Sequence, residues 1–266
     1  MVRNLEGPSR FDGHEYPQSI PEPEYLIPGG PAPWSRLRAS ERRGVTLERV
    51  EEQLRRSERH LDVALVPGDP LEMAAVSDGA RRPLTRRSAV LVALFDEDGE
   101  AQIILTRRSF ALRHHRGEIA LPGGRSEVGE GPIETALREA NEEVGLEPAR
   151  VLPVGWLSPI VTYTSGSAIW PVVGFLSERP TLTADPTEVD RAFTISLSEL
   201  LSDGSFAQER WRRSEARPGA DADGYFPIYF YRVPEDLIWG ATARVLTELL
   251  CLVTGVEWPD AHRVWG

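Results

Sequence analysis

Stretches of the chain with strand-like and helix-like apolar patterns alternate along its middle third. Residues 89–95 form a continuous apolar run, which predicts a strand buried on both faces. The Asp-Gly pair that follows predicts a tight hairpin turn, and the β-rich residues 103–106 predict a second strand. Apolar residues then recur at helical spacing over 133–144. Pro132 suits the first helical position and Gly145 suits the position after the last, so this helix has both end signals.

The remainder of the chain carries weaker signals of both kinds. Polar residues from 205 to 224 predict a long loop, and alternating aromatic and apolar residues from 225 to 231 predict an edge strand. An amphipathic helix is predicted over 237–253. Further predicted elements are strands near 151–157 and 168–177 and a short helix over 197–201. A mixed sheet between helices fits this order, so the expected fold class is α/β.

The N-terminal region differs in composition from the rest. It is rich in Pro, Gly and Arg without periodicity, which predicts loop or extended chain. A helix with a threonine cap is predicted from residue 47 to about 61. Tyr25, Leu26 and Trp34 are expected to attach the extended segment to the body or to another subunit. The predicted organisation is an extended or partly disordered segment at 1–44, a helix and linker at 45–86, the main domain at 87–256 and a tail at 257–266.

Composition restricts the class of protein. Charged residues make up 27% of the chain and apolar residues 41%, values typical of a soluble globular protein. The net charge of −11 argues against a general nucleic-acid binder, which needs surplus cations. The sequence shows no signal-type apolar run and no stretch near the roughly 18 apolar residues of a membrane helix. A cytoplasmic location without membrane contact is therefore expected. The single cysteine, Cys251, lies in an apolar run and is expected to be an inert core thiol.

Three glutamates gather on one face of the helix predicted over 133–144. At roughly 100° per residue, Glu139, Glu142 and Glu143 cluster away from the apolar stripe. Glu139 and Glu143 are four residues apart, where like charges repel each other unless a cation lies between them. Crowded carboxylates commonly bind hard divalent cations. Arg138 lies beside this face and is expected to form a bidentate pair with Glu130 in the preceding loop.

The spacing of these residues resembles the signature of the Nudix hydrolase family. The resemblance implies an α/β/α sandwich with a mixed sheet, and hydrolysis assisted by Mg²⁺ or Mn²⁺. It implies Glu139 and Glu143 as first-choice metal ligands, Glu142 completing the shell, and the Gly124 carbonyl as a further donor. Ala140 is smaller than the usual aliphatic residue of the signature. The matching positions are Gly124, Glu130, Arg138, Glu139, Glu142, Glu143, Gly145 and Leu146.

A second motif lies immediately upstream and resembles that of the coenzyme A pyrophosphatase branch of the family. Leu121 departs from it, since that branch usually has Phe there. Arginines in this segment suit a substrate with several phosphates, because guanidinium groups bind phosphate bidentately. Arg108, Arg113 and His115 are therefore expected to contact substrate, and Gly123 permits close approach of the backbone. The matching positions are Leu105, Thr106, Arg108, Ser109, Arg113, Gly117, Pro122, Gly123 and Gly124, with His115 in the common form of the motif.

The resemblance continues downstream to about residue 254. Ser165-Gly166, Asp185 to Val189 and Trp239 to Arg244 are similar to elements of the same branch. Nudix enzymes often recruit a general base from outside the signature, and Glu188 is the candidate here. Glu139 is the alternative base.

The resemblance implies a function with open alternatives. The expected reaction is hydrolysis of coenzyme A or an acyl derivative to 3′,5′-ADP and 4′-phosphopantetheine. The alternatives are another Nudix hydrolase, acting on ADP-ribose, NADH or a dinucleoside polyphosphate, and a Nudix-fold ligand sensor without catalysis. A messenger-RNA cap hydrolase is disfavoured by the acidic balance. Family members are often dimeric, so a homodimer is a further expectation.

Overall fold

The computed structural model describes residues 16–18, 20–61, 86–162, 167–212 and 220–259. The strands are β1 Tyr25–Pro28, β2 Arg86–Glu97, β3 Glu100–Arg108, β4 Ile119–Ala120, β5 Gly123–Arg125, β6 Val151–Trp156, β7 Ile160–Thr162, β8 Ser167–Leu176, β9 Val189–Ser196, β10 Phe206–Arg212, β11 Phe226–Val233 and β12 Asp236–Trp239. The α-helices are α1 Leu47–Arg56, α2 Pro132–Val144, α3 Leu197–Leu200 and α4 Gly240–Thr254, with single 3₁₀ turns at Ala39–Glu41 and Pro148–Arg150.

The larger sheet is mixed and is organised around β2. This strand pairs in parallel with β8 and antiparallel with β5 and β3. β4 pairs with the edge of β3 that also pairs with β2, β9 pairs with the opposite edge of β3, and on the far side of β8 lie β6 and β7. The hairpin between β2 and β3 turns at Asp98 and Gly99, whose φ angles are 55° and 81°. Positive φ at both central residues fits the tight hairpin turn that the Asp-Gly pair predicts.

Both faces of β2 are covered, which explains its continuous apolar sequence. Ala89, Leu91 and Phe95 pack with residues of α2 on one face. Val92 and Leu94 pack in the core that contains residues of α1 and α4. The mixed sheet between helices is therefore confirmed, and among the described helices α2 is the one that packs on the face of the candidate site.

A smaller antiparallel sheet, in the order β1-β10-β11-β12, differs from the sequence-based expectations. The predicted loop over 205–224 is wrong in its first part, because residues 206–212 form β10. Its side chains are mostly half-buried, so the apolar alternation of an ordinary strand is weak. The strand at 226–233 is interior rather than an edge, since β10 and β12 flank it. The last helix begins at residue 240 instead of 237 because β12 occupies 236–239.

The N-terminal region contributes to this smaller sheet. Residues predicted to be loop or extended chain include β1, which pairs with β10. Trp34 is buried in the core, whereas Tyr25 and Leu26 are exposed on β1. Helix α1 begins at residue 47 as predicted and ends at Arg56, five residues earlier than expected. The Ser165-Gly166 element, most of the linker before residue 86 and most of the C-terminal tail lie outside the described residues.

Candidate active site

Helix α2 is held at both ends by the features that predict it. Pro132 occupies its first turn, and Gly145 follows its end with φ 68°. The Gly145 amide donates to the Asn141 carbonyl (2.9 Å), and the Leu146 amide donates to the Ala140 carbonyl (3.3 Å). This arrangement is the usual left-handed helix end. One face of α2 packs on the sheet, and the glutamates lie away from its apolar stripe.

Arg138 organises the acidic side of the helix with all five of its N–H donors. Its Nε and Nη2 donate to the two carboxylate oxygens of Glu130 (2.6 and 3.0 Å), which confirms the predicted bidentate pair. Its Nη1 donates to Glu139 (3.1 Å) and Glu142 (2.9 Å), and Nη2 also donates to the Arg125 carbonyl (2.9 Å). The hydrogen bonds from Arg138 lower the pKa of Glu130 to about 2. Arg138 therefore fixes the loop and two helix carboxylates relative to one another.

Glu139, Glu142 and Glu143, here called the carboxylate cluster, differ in exposure. The Glu143 side chain is 3% exposed, that of Glu139 14% and that of Glu142 59%. Burial raises the pKa of Glu143 to about 7 and also raises the pKa of Glu139. Partial compensation comes from the Gly123 amide, which donates to Glu143 (3.1 Å), and from Arg108, whose Nη1 lies 3.7 Å from Glu143 Oε1. The cluster thus holds more negative charge than its neighbours neutralise.

Two glycines bring the backbone against these carboxylates. A Cβ atom at Gly124 would lie 2.3 Å from Glu139 Oε2, so any other residue would require the carboxylate to move from this position. A Cβ atom at Gly123 would lie 2.4 Å from the Ala89 carbonyl, where β5 pairs with β2. Gly124 is consequently next to the cluster, as its expected role as a carbonyl donor requires.

The upstream motif and the Asp-Pro-Thr-Glu element meet beside α2. The Ser109 amide donates to the Glu188 carbonyl (2.8 Å), and Ser109 Oγ donates to the Pro186 carbonyl (3.3 Å). The Asp185 amide donates to the carbonyl of Glu143 at the end of α2 (2.9 Å). The hydroxyl bond explains why the motif carries a serine, because through it Ser109 joins two loops that are distant in sequence.

Glu188 is exposed beside the carboxylate cluster. Its negative charge contributes to the raised pKa values of both Glu139 and Glu143. The structure therefore brings the candidate base, both first-choice metal ligands and Arg108 to one place.

Three other basic residues of the upstream segment form no ion pair with the carboxylate cluster in the described part of the chain. Arg113 is exposed in the loop between β3 and β4. His115, also exposed, pairs through Nδ1 with Glu118 (3.0 Å), and this hydrogen bond raises its pKa. Nearby Arg108 opposes that rise, so His115 still lies near the site. Arg107 points away, towards Asp190 and Asp236, and the sequence carried no signal for that arrangement because Asp236 belongs to the distant β12.

The side chains present fit a divalent cation, although the arrangement is not a closed cage. In the described parts of the chain, no three His, Cys, Asp or Glu side chains converge as a ready-made metal site. Glu143 nevertheless is a buried carboxylate with a raised pKa near Glu139, and Glu139 in turn lies against the Gly124 backbone. A hard cation with oxygen ligands would neutralise this charge. Glu142 is exposed and bonded to Arg138, and its role in the metal shell stays a prediction.

Comparison with known proteins identifies the family. The NUDIX domain model matches residues 85–215. Nudix hydrolase 3 of Caenorhabditis elegans is 31% identical over 183 residues, covering 66% of this chain and 75% of that protein. NudL of Photorhabdus laumondii, an uncharacterized Nudix hydrolase, is 36% identical over 166 residues, covering 62% of this chain and 83% of that protein. Mitochondrial Nudix hydrolase 15 of Arabidopsis thaliana is 37% identical over 181 residues, covering 65% and 61%.

The chain belongs to the Nudix family. It is a pyrophosphohydrolase for nucleoside diphosphate derivatives, and enzymes of this family generally use divalent metal ions. Among solved structures, a MutT/nudix family protein of Enterococcus faecalis aligns with 15% identity and a TM-score of 0.43, covering 75% of this chain and 71% of that one. Within the described residues, no helix has both the length and the apolar character needed to span a membrane.

Proposed function

We propose that this enzyme hydrolyses the diphosphate bond of coenzyme A or acyl-coenzyme A, giving 3′,5′-ADP and (acyl-)4′-phosphopantetheine. The observation that carries the proposal is the position of Arg108, whose Nη1 lies 3.7 Å from Glu143 Oε1. A guanidinium beside the metal-binding carboxylates is placed to bind the diphosphate bidentately. Arg108 belongs to the segment that resembles the coenzyme A branch, and Ser109 of that segment anchors the loop of Glu188.

Cations outside the carboxylate cluster suit the additional 3′-phosphate of coenzyme A. Arg113 and Arg116 are exposed in the loop between β3 and β4. Within the described parts of the chain, neither side chain has a carboxylate partner. Exposed guanidinium groups in the loop that follows Arg108 favour a substrate with a third phosphate over ADP-ribose, which has only a diphosphate.

Glu139, Glu143 and the Gly124 carbonyl would hold Mg²⁺ or Mn²⁺, with Glu142 completing the shell. When bound, such a cation polarises phosphoryl oxygens and lowers the pKa of bound water. Glu188 is the proposed general base because it is exposed next to Glu139 and Glu143. Arg138 supports the site by holding Glu139 and Glu142 in place.

The first experiment incubates the purified protein with coenzyme A, acetyl-coenzyme A, ADP-ribose and NADH, with Mg²⁺ or with EDTA, and identifies products by mass spectrometry. EDTA-sensitive appearance of 3′,5′-ADP and 4′-phosphopantetheine supports the proposal. Cleavage of ADP-ribose or NADH without cleavage of coenzyme A would retain the metal site and reject the substrate.

A second experiment isolates the 3′-phosphate. Arg113→Gln should raise KM for coenzyme A on the order of 10-fold, because a charge-assisted contact with phosphate is lost. KM for dephospho-coenzyme A, which lacks that phosphate, should stay unchanged. Arg150→Gln serves as a control, since Arg150 pairs with exposed Glu178 elsewhere. An equal change for both substrates would remove Arg113 from 3′-phosphate recognition.

A further inference from the structure

The pairing of β3 with β9 changes register beside the candidate active site. Arg107 pairs with Arg191, whereas the next residue, Arg108, pairs with Val189, so Asp190 is an extra residue on β9. Such a β-bulge bends the strand and re-aims neighbouring side chains, and bulges are common next to active sites. Glu188 lies two residues before Asp190, and Arg108 pairs with the intervening Val189. The bulge therefore sets the position of both groups.

A buried carboxylate from another part of the chain holds this bulge. Asp236, at the start of β12, is fully buried, and its carboxylate accepts a hydrogen bond from Arg191 Nη2. Arg107 Nε lies 3.4 Å from Asp236 Oδ1 and 3.7 Å from Asp190 Oδ2. Arg107, Arg191 and Asp236 are here called the arginine clamp. They join the smaller sheet to the two strands that form the bulge.

The clamp acts on the opposite side of the bulge from the carboxylate cluster. Arg107 and Arg108 are adjacent on β3, so their side chains point to opposite faces of the sheet. On the active-site side, Ser109 bonds to the Glu188 carbonyl (2.8 Å). The backbone of Glu188 is thus fixed by Ser109 on one side and by the clamped bulge on the other. Groups that orient site residues in this way commonly affect activity on the order of 10-fold to 100-fold.

We infer that Asp236, acting through Arg107 and Arg191, is a positioning residue that sets Glu188 and Arg108 against the carboxylate cluster. The inference rests on the proposed function only in taking Glu188 and Arg108 as site residues, and it holds for whichever diphosphate substrate is cleaved. It gives β12 and the smaller sheet a role in the activity of the larger one.

Asp236→Asn tests this role, because the amide keeps the shape of the side chain and removes the charge that attracts both arginines. We expect kcat to fall on the order of 10-fold with KM changed less, since misplacement of reacting groups impairs the chemical step. The matched control is Glu235→Gln. The Glu235 side chain is 71% exposed and also pairs with Arg191, but it lies outside the clamp, so kcat should stay near that of the unaltered protein.

A double-mutant cycle separates positioning from general damage to the fold. Asp236→Asn is measured alone and combined with Glu188→Gln and with Arg108→Met, on the substrate that the product analysis identifies. If Asp236 acts through these residues, its effect on kcat shrinks in at least one of the two combinations. The same factor in every background would overturn the inference. If Asp236→Asn fails to fold, Arg107→Gln replaces it in the cycle, because it removes one of the two guanidinium groups that face Asp236 and Arg107 is partly exposed. The same outcomes then apply.

The cycle is independent of substrate identity. Failure to cleave coenzyme A, with cleavage of another diphosphate, would reject the proposed substrate and leave the cycle measurable. Normal kcat for Asp236→Asn with an intact fold would reject the positioning role and leave the proposed substrate unaffected.

Discussion

Two groups of charged side chains begin at adjacent residues of β3 and differ in how their charge is balanced. Arg108 leads to the carboxylate cluster, where the buried carboxylate of Glu143 faces a single guanidinium group among the described residues, 3.7 Å away. Arg107 leads to the arginine clamp, where the buried carboxylate of Asp236 faces two guanidinium groups. The first group is left with excess negative charge, and the second contains its own counter-charges.

The difference separates a candidate ligand site from an ionic group that includes its own cations. Burying an unpaired charge is costly, and a protein retains such a charge where a ligand compensates for it. Glu143 meets this description because burial raises its pKa to about 7. Burial raises the pKa of Asp236 as well, but the two arginines that face it lower that pKa, so we expect the clamp to hold its strands without an added cation. Responses to divalent metal ions should therefore belong to the cluster and be absent from the clamp.

The largest effect is expected from Glu143→Gln, which removes the buried charge of the cluster. At saturating Mg²⁺, kcat should fall on the order of 100-fold or more, since a catalytic metal contributes several kcal/mol to transition-state stabilisation. Steady-state kinetics measure this loss. Glu142→Gln is the matched control, because that side chain is 59% exposed, and its loss should be smaller. Turnover of Glu143→Gln near that of the unaltered protein would remove Glu143 from the metal site.

The next effect is a pH dependence of stability that belongs to the same residue. The pKa of Glu143 is raised from 4.5 to about 7 in the folded protein. Between these values the folded state keeps a proton that the unfolded state has released, so in EDTA stability falls as pH rises through this range. The total is on the order of 3 kcal/mol. Thermal unfolding of the unaltered protein and Glu143→Gln from pH 4 to 8 measures it.

Mg²⁺ should reverse this loss, because it binds the deprotonated carboxylate and competes with the proton. Stabilisation by Mg²⁺ is therefore expected to grow between pH 5 and about 7 in the unaltered protein and to be much smaller in Glu143→Gln. Parallel pH profiles of the two proteins in EDTA would contradict the assignment of this titration to Glu143.

Sequence alone predicts the region around the carboxylate cluster well because its signals are local. Each predicted feature there depends on residues that are close together in sequence, within about two helical turns or one loop. The features are the two termini of the helix at Pro132 and Gly145, the Asp98-Gly99 turn and the Arg138–Glu130 pair. Each expectation is confirmed in the structure.

The smaller sheet and the clamp depend on contacts between distant residues, and the sequence does not predict them. Strand β10 has mostly half-buried side chains and was expected to be a loop, since its pairing with β1 and β11 supplies the stability that its pattern lacks. Asp236 lies 45 residues from Arg191, and no pattern in the surrounding sequence marks it as a buried residue. Only the fold shows that a carboxylate there is buried against two arginines.

An intermediate effect is expected from Arg138→Lys, which keeps the charge and loses the planar set of five donors. Lysine is a point charge and cannot bind Glu130 bidentately while also holding Glu139 and Glu142. We expect kcat to fall about 10-fold, as for other groups that orient metal ligands. Kinetics with Mg²⁺ titration measure it. Arg150→Lys, at an exposed pair with Glu178, is the control and should leave kcat unchanged. Equal kinetics for Arg138→Lys and the unaltered protein would show that the charge alone suffices.

The smallest effect is expected from Gly124→Ala, which adds one methyl group beside the cluster. The new Cβ would lie 2.3 Å from Glu139 Oε2, so the carboxylate must rotate. It can do so because it is the flexible end of a side chain. A rotation away from a preferred rotamer costs about 1 kcal/mol, which corresponds to a loss of a few-fold in Mg²⁺ affinity.

Stability without metal should change little in Gly124→Ala, since Glu139 can move towards solvent. Titration of activity with Mg²⁺ gives the affinity, and thermal unfolding in EDTA gives the stability. Gly129→Ala is the matched control in the same loop, where the added Cβ meets no neighbouring atom within 4 Å but the φ of +92° strains any residue other than glycine. That control should lower stability without altering Mg²⁺ affinity, the reverse of Gly124→Ala. If both substitutions changed only stability, Gly124 would be a loop glycine and its contact with Glu139 would have no part in metal binding.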